Sequence, residues 1–177
     1  MKKMKTVFVI DRSTHLATET VQVEWVINGE GIATIKHDGT SCMIENGALH
    51  RRLDVKQGRT APDGWVPCEL APDPVSGHWP GWLPVNPEDP SNRWHVEAMS
   101  DTLEDGTYEL VGPKVQQNRY NLGRHELWRH GSIVVEVGRT REAIVEWLTA
   151  NDHEGLVFHH PDGSMAKIRR KDMGLRW

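Results

Sequence analysis

The sequence predicts an α+β fold of mostly antiparallel sheets flanked by helices, and three observations lead there. Short segments rich in β-branched residues recur along the chain, separated by turn signals such as Asn28-Gly29, Asn46-Gly47, Asp105-Gly106 and His160-Pro161-Asp162-Gly163. One segment has helical spacing with a cap. Eight of the ten prolines crowd into residues 61–90, where they oppose regular structure.

The predicted strands are Thr6–Ile10, Thr20–Ile27, Gly31–Ile35, Ser41–Glu45, Ala48–Val55, Thr107–Val111, Ser132–Val137, Gly155–His160 and Ser164–Arg170. The clearest hairpin joins the last two across Pro161-Asp162-Gly163. The best-signalled helix follows Thr140, a cap residue, with Glu142 in its first turn. Ala143, Ile144, Trp147 and Leu148 line one of its faces, and Asn151-Asp152 end it. A second helix is expected within Ser91–Leu103, on the spacing of Trp94, Ala98 and Met99. Residues 61–90 are expected to be irregular, neither helix nor central strand.

The 177 residues suit a single domain spanning 1–177 with a real core. Charged residues are 26% and hydrophobic residues 37%, ordinary for a globular protein. No apolar run reaches the ~18 residues of a membrane span. The basic start, Met1-Lys2-Lys3-Met4-Lys5, is followed by too short an apolar stretch for a signal peptide, so a cytoplasmic protein is expected. Cys42 and Cys68 form neither a disulfide framework nor a zinc pattern. A net charge of −4 argues against a protein that coats nucleic acid, but local cations at Arg51-Arg52 and in Lys167-Ile168-Arg169-Arg170-Lys171 can handle phosphate.

Lys36 ends an apolar strand in Lys36-His37-Asp38-Gly39. A lysine attacks only as a free amine, so a nucleophilic role needs burial or nearby cations to displace its proton. Asp38 would share its face if the strand continued, and Gly39 permits a close backbone approach. Further along, Glu109 is an acid within an apolar strand, Glu154 stands immediately before another, and Lys167 and Arg169 share a face at period two. A nucleophile, carboxylates for a metal and cations for phosphate are what nucleotidyl transfer requires.

The order K-x-D-G (Lys36–Gly39), basic pair (Arg51-Arg52), Y-E-x-x-G (Tyr108–Gly112), E-G-L-V (Glu154–Val157) and K-x-R (Lys167–Arg169) resembles the covalent nucleotidyltransferase superfamily, that is, ATP-dependent DNA and RNA ligases and mRNA capping enzymes. Asp73–Trp82 and His125–Gly131 are similar to the RNA-ligase branch that includes a vertebrate 5′-to-3′ RNA ligase. The resemblance implies a nucleotidyltransferase (ATP-grasp-like) domain and an ATP-dependent RNA ligase acting on 5′-phosphate and 3′-hydroxyl ends. Lys36 would become lysyl-N-AMP, AMP would pass to the RNA 5′-phosphate, and the 3′-hydroxyl would displace it. Asp38 would orient the ribose or a metal-bound water. Arg51 or Arg52 would hold phosphate. Glu109 would bind ribose or metal, and Glu154 would place Mg²⁺ or Mn²⁺. Lys167 and Arg169 would neutralise the α-phosphate, and Lys167 would help depress the pKa of Lys36. Ile35 and Gly39 join the nucleotide-binding set, and Trp128 or His130 would stack adenine opposite Val157.

The resemblance has departures. Many ligases read K-x-K where Arg169 stands here, with Lys171 as a substitute on the same face. No OB or helical domain, usual in these enzymes, is expected after the K-x-R stretch, so nucleic-acid grip would come from the chain's own surface or a partner protein. Trp65, Trp79, Trp82 and Trp94 could stack bases or pack beneath an irregular loop. His159-His160 flank a turn and point to opposite faces, which argues against one shared metal. Cys42 reads as a small core residue. The rival functions are a DNA nick ligase, a non-catalytic nucleic-acid-binding protein, and an adenylyltransferase with another acceptor.

Overall fold

The computed structural model describes residues 4–177; Met1 to Lys3 of the basic N-terminus lie outside the described residues. The elements in order are β1 (Lys5–Thr6), β2 (Phe8–Ile10), β3 (Ala17–Val21), α1 (Glu24–Ile27), β4 (Ile32–Lys36), β5 (Thr40–Glu45), β6 (Ala48–Val55), β7 (Val66–Pro67), β8 (Trp79–Pro84), α2 (Arg93–Ala98), β9 (Gly106–Val111), β10 (Glu126–Arg129), β11 (Val134–Val135), α3 (Arg141–Ala150), β12 (Gly155–His159) and β13 (Met165–Arg169). The fold is mixed α+β with antiparallel sheets; the pairing of β1 with β13 is parallel. Residues 38–129 form one compact unit, and residues 4–37 with 130–177 form the other.

The second unit carries a five-stranded sheet in the order β1-β13-β12-β4-β11, with β2 and β3 as a separate hairpin. Side chains alternate across each strand. Ala33, Leu156, Phe158, Ala166 and Ile168 therefore share the face that enters the core, together with Val26 of α1 and Ile144 and Leu148 of α3. The predicted cap is observed, as Thr140 Oγ1 accepts from Ala143 N at 3.2 Å. Thr34, Lys36, Val157, Lys167 and Arg169 fall on the opposite face.

Thr20–Ile27, predicted as one strand, divides into the end of β3 and the single turn α1. Val23 and Val26, three apart, both reach the core, and a helical turn presents that spacing to one side where a strand would split it. Ser132–Val137 shrinks to the two-residue β11.

The first unit holds a six-stranded sheet in the order β10-β9-β5-β6-β8-β7. Cys42, Ile44, Leu49, Tyr108, Leu110 and Leu127 make its core with Ala98 of α2. β8 lies inside the segment expected to exclude a central strand, yet it pairs with β6 over six residues. Pro80 O accepts from Cys68 N at 2.8 Å, so the edge of Pro80 that lacks an N–H faces the short β7 rather than β6. Pro84, four residues on, presents the same edge. The expected helix in Ser91–Leu103 is α2, preceded by a 3₁₀ turn, Pro90–Asn92, which Asp89 caps at Ser91 N.

Candidate active site

In the second unit, three strands place the cations in rows. Gly155 pairs with Lys36 on one side and Arg169 on the other, and Val157 stands between Thr34 and Lys167. Lys36 Nζ reaches Glu154 Oε2 at 2.5 Å, with the two side chains 18% and 10% exposed. That face thus carries a nucleophile candidate, a carboxylate and two further cations. A Cβ at Gly155 would meet the Ile168 carbonyl oxygen at 2.2 Å. The glycine of the E-G-L-V stretch is therefore the contact that lets β12 and β13 close beside Lys36 and Arg169.

Burial, aided by the charges of Arg169 and Lys36, pushes the Lys167 ammonium down to about 8, while Asp172 and Glu154 oppose the shift. A half-buried cation short of counter-charge favours an arriving phosphate. Arg169 is clasped by the buried Asp172, with Nη2 to Oδ1 at 2.6 Å and Nε to Oδ2 at 2.9 Å. The same carboxylate accepts from Arg169 N at 2.9 Å. Sequence reading missed Asp172, although an acid three residues after an arginine at the end of a strand was a legible signal. Lys171 belongs to the 3₁₀ turn Arg170–Met173 and is exposed. It lies off the strand, so the expected sharing of Arg169's face does not occur.

Thr34, also missed, binds His159, Oγ1 to Nε2 at 2.9 Å. Burial and the charge of His130 lower the His159 pKa. His160 instead contacts Glu30 and Asp162 at 3.1 and 2.8 Å, so the two histidines part as expected. Among the described residues, no group of three or more His, Cys, Asp or Glu could hold a metal ion alone.

In the first unit, a row crosses the sheet on the face away from its core. Trp128 pairs with Glu109, Glu109 with Ser41, and Arg52 with Trp82. Alternation resolves the basic pair: Arg52 shares the face of Glu109, whereas Arg51 pairs with Cys42 on the core face. The Arg52 guanidinium lies 5.7 Å from the Trp82 ring and binds Asp54 at 2.8 Å. Gly39 is again a close approach, since a Cβ there would meet Leu110 O at 2.2 Å and Glu109 Cγ at 2.8 Å. Strand β4 ends at Lys36, so Asp38 does not continue it. Asp38 N donates instead to Tyr120 Oη at 2.7 Å, and the Tyr120 ring lies 4.6 Å from Trp128. No sequence signal marked Tyr120.

The other singled-out residues are structural. Cys42 is fully buried, and its thiol is pushed up to about 12, first by burial and then by the charge of Glu109. Trp65 and Trp79 donate to Leu53 O and Glu69 O and meet edge to face at 5.2 Å. Trp94 stacks on His125 at 4.6 Å. Trp82 is buried. All four rings thus make packing contacts within their unit.

A family model described as RLIG1, RNA ligase 1, matches residues 96–177, a span that includes Glu109, Glu154, Lys167 and Arg169. RNA ligase 1 of Rattus norvegicus is 26% identical over 92% of this chain and 74% of its own length. RNA ligase 1 of Pongo abelii is 27% identical over the same shares. RNA ligase 1 of Danio rerio is 30% identical over 57% of this chain and 42% of its own length.

Proposed function

We propose that this chain is an ATP-dependent RNA ligase of the RNA ligase 1 type, which joins 5′-phosphate and 3′-hydroxyl ends through lysyl-AMP on Lys36; the family match over residues 96–177 and the similarity to RNA ligase 1 over 92% of the chain support it. The observation that carries the site assignment is Lys36 at 2.5 Å from Glu154, on a sheet face shared with Lys167 and Arg169. The reading takes residues 1–177 as one minimal nucleotidyltransferase (ATP-grasp-like) domain.

In the first step the Lys36 amine attacks the α-phosphorus of ATP. The α–β P–O bond breaks, pyrophosphate leaves and the amine gives up a proton. The ammonium contact with Glu154 must be surrendered for that attack, which frees the carboxylate. Lys167 and Arg169 offset the charge that grows on the α-phosphate oxygens, where preorganised cations act most strongly. In the second step an RNA 5′-phosphate oxygen takes the AMP as the P–N bond breaks. In the third, the 3′-hydroxyl attacks that phosphate and AMP departs.

Arg52 is the better placed of the basic pair to meet phosphate, because it shares the face of Glu109. Glu109 and Asp38 would serve the ribose, and Trp128 or His130 would stack the adenine opposite Val157; Ile35 pairs with Leu156 on the core face, so its side chain does not join them. Mg²⁺ suits this donor set, since it binds through one or two carboxylates plus substrate phosphates rather than an all-protein cage. Glu154 or Glu109 would hold it, and Mn²⁺ could replace it. Bound there, the ion would draw charge from the phosphate oxygens.

Incubation with α-labelled ATP and Mg²⁺ should leave label on the protein that survives alkali and is released by acid, as a lysine P–N bond requires. Lys36→Ala should take none, and neither should Lys36→Arg, because a guanidinium keeps its proton. Wild-type protein that takes no label with any divalent cation would refute the ligase reading. Sealing of nicked DNA as well as or better than RNA would move the function to a DNA ligase.

A further inference from the structure

Beside the Lys36 face, and within the same unit, lies a cleft of about 310 Å³ lined by Ile10, Thr14, His15, Leu16, Arg169, Lys171 and Asp172. We propose that it holds the terminal nucleotide of the 5′-phosphorylated RNA strand, with the base against Leu16 and the phosphodiester on Lys171 and His15. The inference rests on the ligase reading and adds a donor-strand subsite to it.

The cleft combines an apolar wall with cations, which a nucleotide needs and a purely solvated surface does not supply. Leu16 is 42% exposed and supplies the apolar wall. Arg169 belongs both to the cleft and to the row that passes through Gly155 to Lys36, so a phosphate leaving the cleft in that direction arrives beside the adenylylation site.

The wall is preorganised. Asp11 Oδ1 accepts from Ser13 N at 2.7 Å, Ser13 Oγ at 2.6 Å and Thr14 N at 3.3 Å. Asp11 N donates to Leu16 O at 2.9 Å, and His15 N donates to Asp11 O at 2.8 Å. His15 has a φ of 60°, a left-handed conformation that a non-glycine residue keeps only where its surroundings fix it, often at ligand sites. On the other side, Asp172 pins Arg169, and the turn Arg170–Met173 presents Lys171.

The test compares wild type, Lys171→Glu and Leu16→Ala. Each is first labelled with α-labelled ATP, then chased with a 5′-phosphorylated RNA oligonucleotide over a concentration series. The expected result is self-labelling within twofold of wild type, with the RNA concentration for half-maximal AMP transfer raised about tenfold by Lys171→Glu, the scale of one lost charged phosphate contact. An unchanged RNA dependence in both variants would overturn the proposal. So would a raised ATP requirement for self-labelling, which would assign the cleft to the ATP phosphates. If wild type takes no label, the ligase reading fails instead. Fluorescence anisotropy of the same oligonucleotide on wild type and Lys171→Glu then still decides the cleft, because equal binding refutes it.

Discussion

Lys167 links the chemistry of the face to the stability of the protein. Its ammonium titrates near 8 in the folded chain, against about 10.4 for a free lysine. Between those values the unfolded chain holds a proton that the folded chain has released, so stability rises with pH across that window. Below about pH 8 the cost of burying the charge is felt in full, on the order of 3 kcal/mol. Urea denaturation of wild type should show stability climbing from pH 8 to 9, above which ionisation of the unfolded chain's Cys42 thiol opposes the rise, and Lys167→Met should flatten that slope; parallel pH profiles would refute the assignment. An anion on this face returns the proton to Lys167, so nucleotide binding at pH 9 should be accompanied by proton uptake, measurable by calorimetry in buffers of different ionisation enthalpy.

At the scale of elements, two glycines decide how closely the strands can run. A methyl at Gly155 would meet a backbone carbonyl of β13, and a methyl at Gly39 would meet one of β9; neither neighbour can rotate away. Gly155→Ala and Gly39→Ala should each cost about 1–3 kcal/mol in urea denaturation, the usual cost of overpacking. Both should also lower self-labelling, since Gly155 separates Lys36 from Arg169 and Gly39 abuts Glu109. Unchanged denaturation midpoints would show that the strands can part freely.

Much of this level was legible beforehand. Ala48–Val55 was predicted with the observed ends, and the hairpin of β12 and β13 to within a residue at each strand end, because alternation and turn residues acted together. Strand β8 was hidden because a proline's effect depends on which edge of the strand it occupies, and that is decided by neighbours distant in sequence. The turn α1 was hidden because its β-branched residues favour strand, and the core overrode that preference.

For the whole molecule, the order of the motifs carried more information than any one of them. Lys36, Glu154, Lys167 and Arg169 were all named from sequence; the common face of Lys36, Lys167 and Arg169 follows from strand register, whereas Glu154, just before β12, is placed by its contact with Lys36. Period-two alternation could assign Lys167 and Arg169 to one face, but not Arg52 over Arg51, because that requires knowing which face is buried. The partners Thr34 and Tyr120 were not foreseen, since their roles come from contacts with other side chains rather than from a motif, whereas Asp172 was legible in its spacing from Arg169 and was missed. The net charge of −4 implies that RNA is held by few local cations. Transfer of AMP to RNA should therefore weaken with salt on a shallow slope, that of two to four phosphate contacts, when RNA dependence is measured from 50 to 200 mM KCl. A slope near ten contacts would point to a broad basic surface that the sequence does not supply.

The clasp between Arg169 and Asp172 also explains why the second basic position of the K-x-R stretch is not lysine. Asp172 is bound through Nε and Nη2, and a guanidinium has five N–H donors set in a rigid plane. One side chain can thus fasten the turn that follows β13 and still present an amino group to phosphate. An ammonium, a single point of charge, would have to choose between those two tasks.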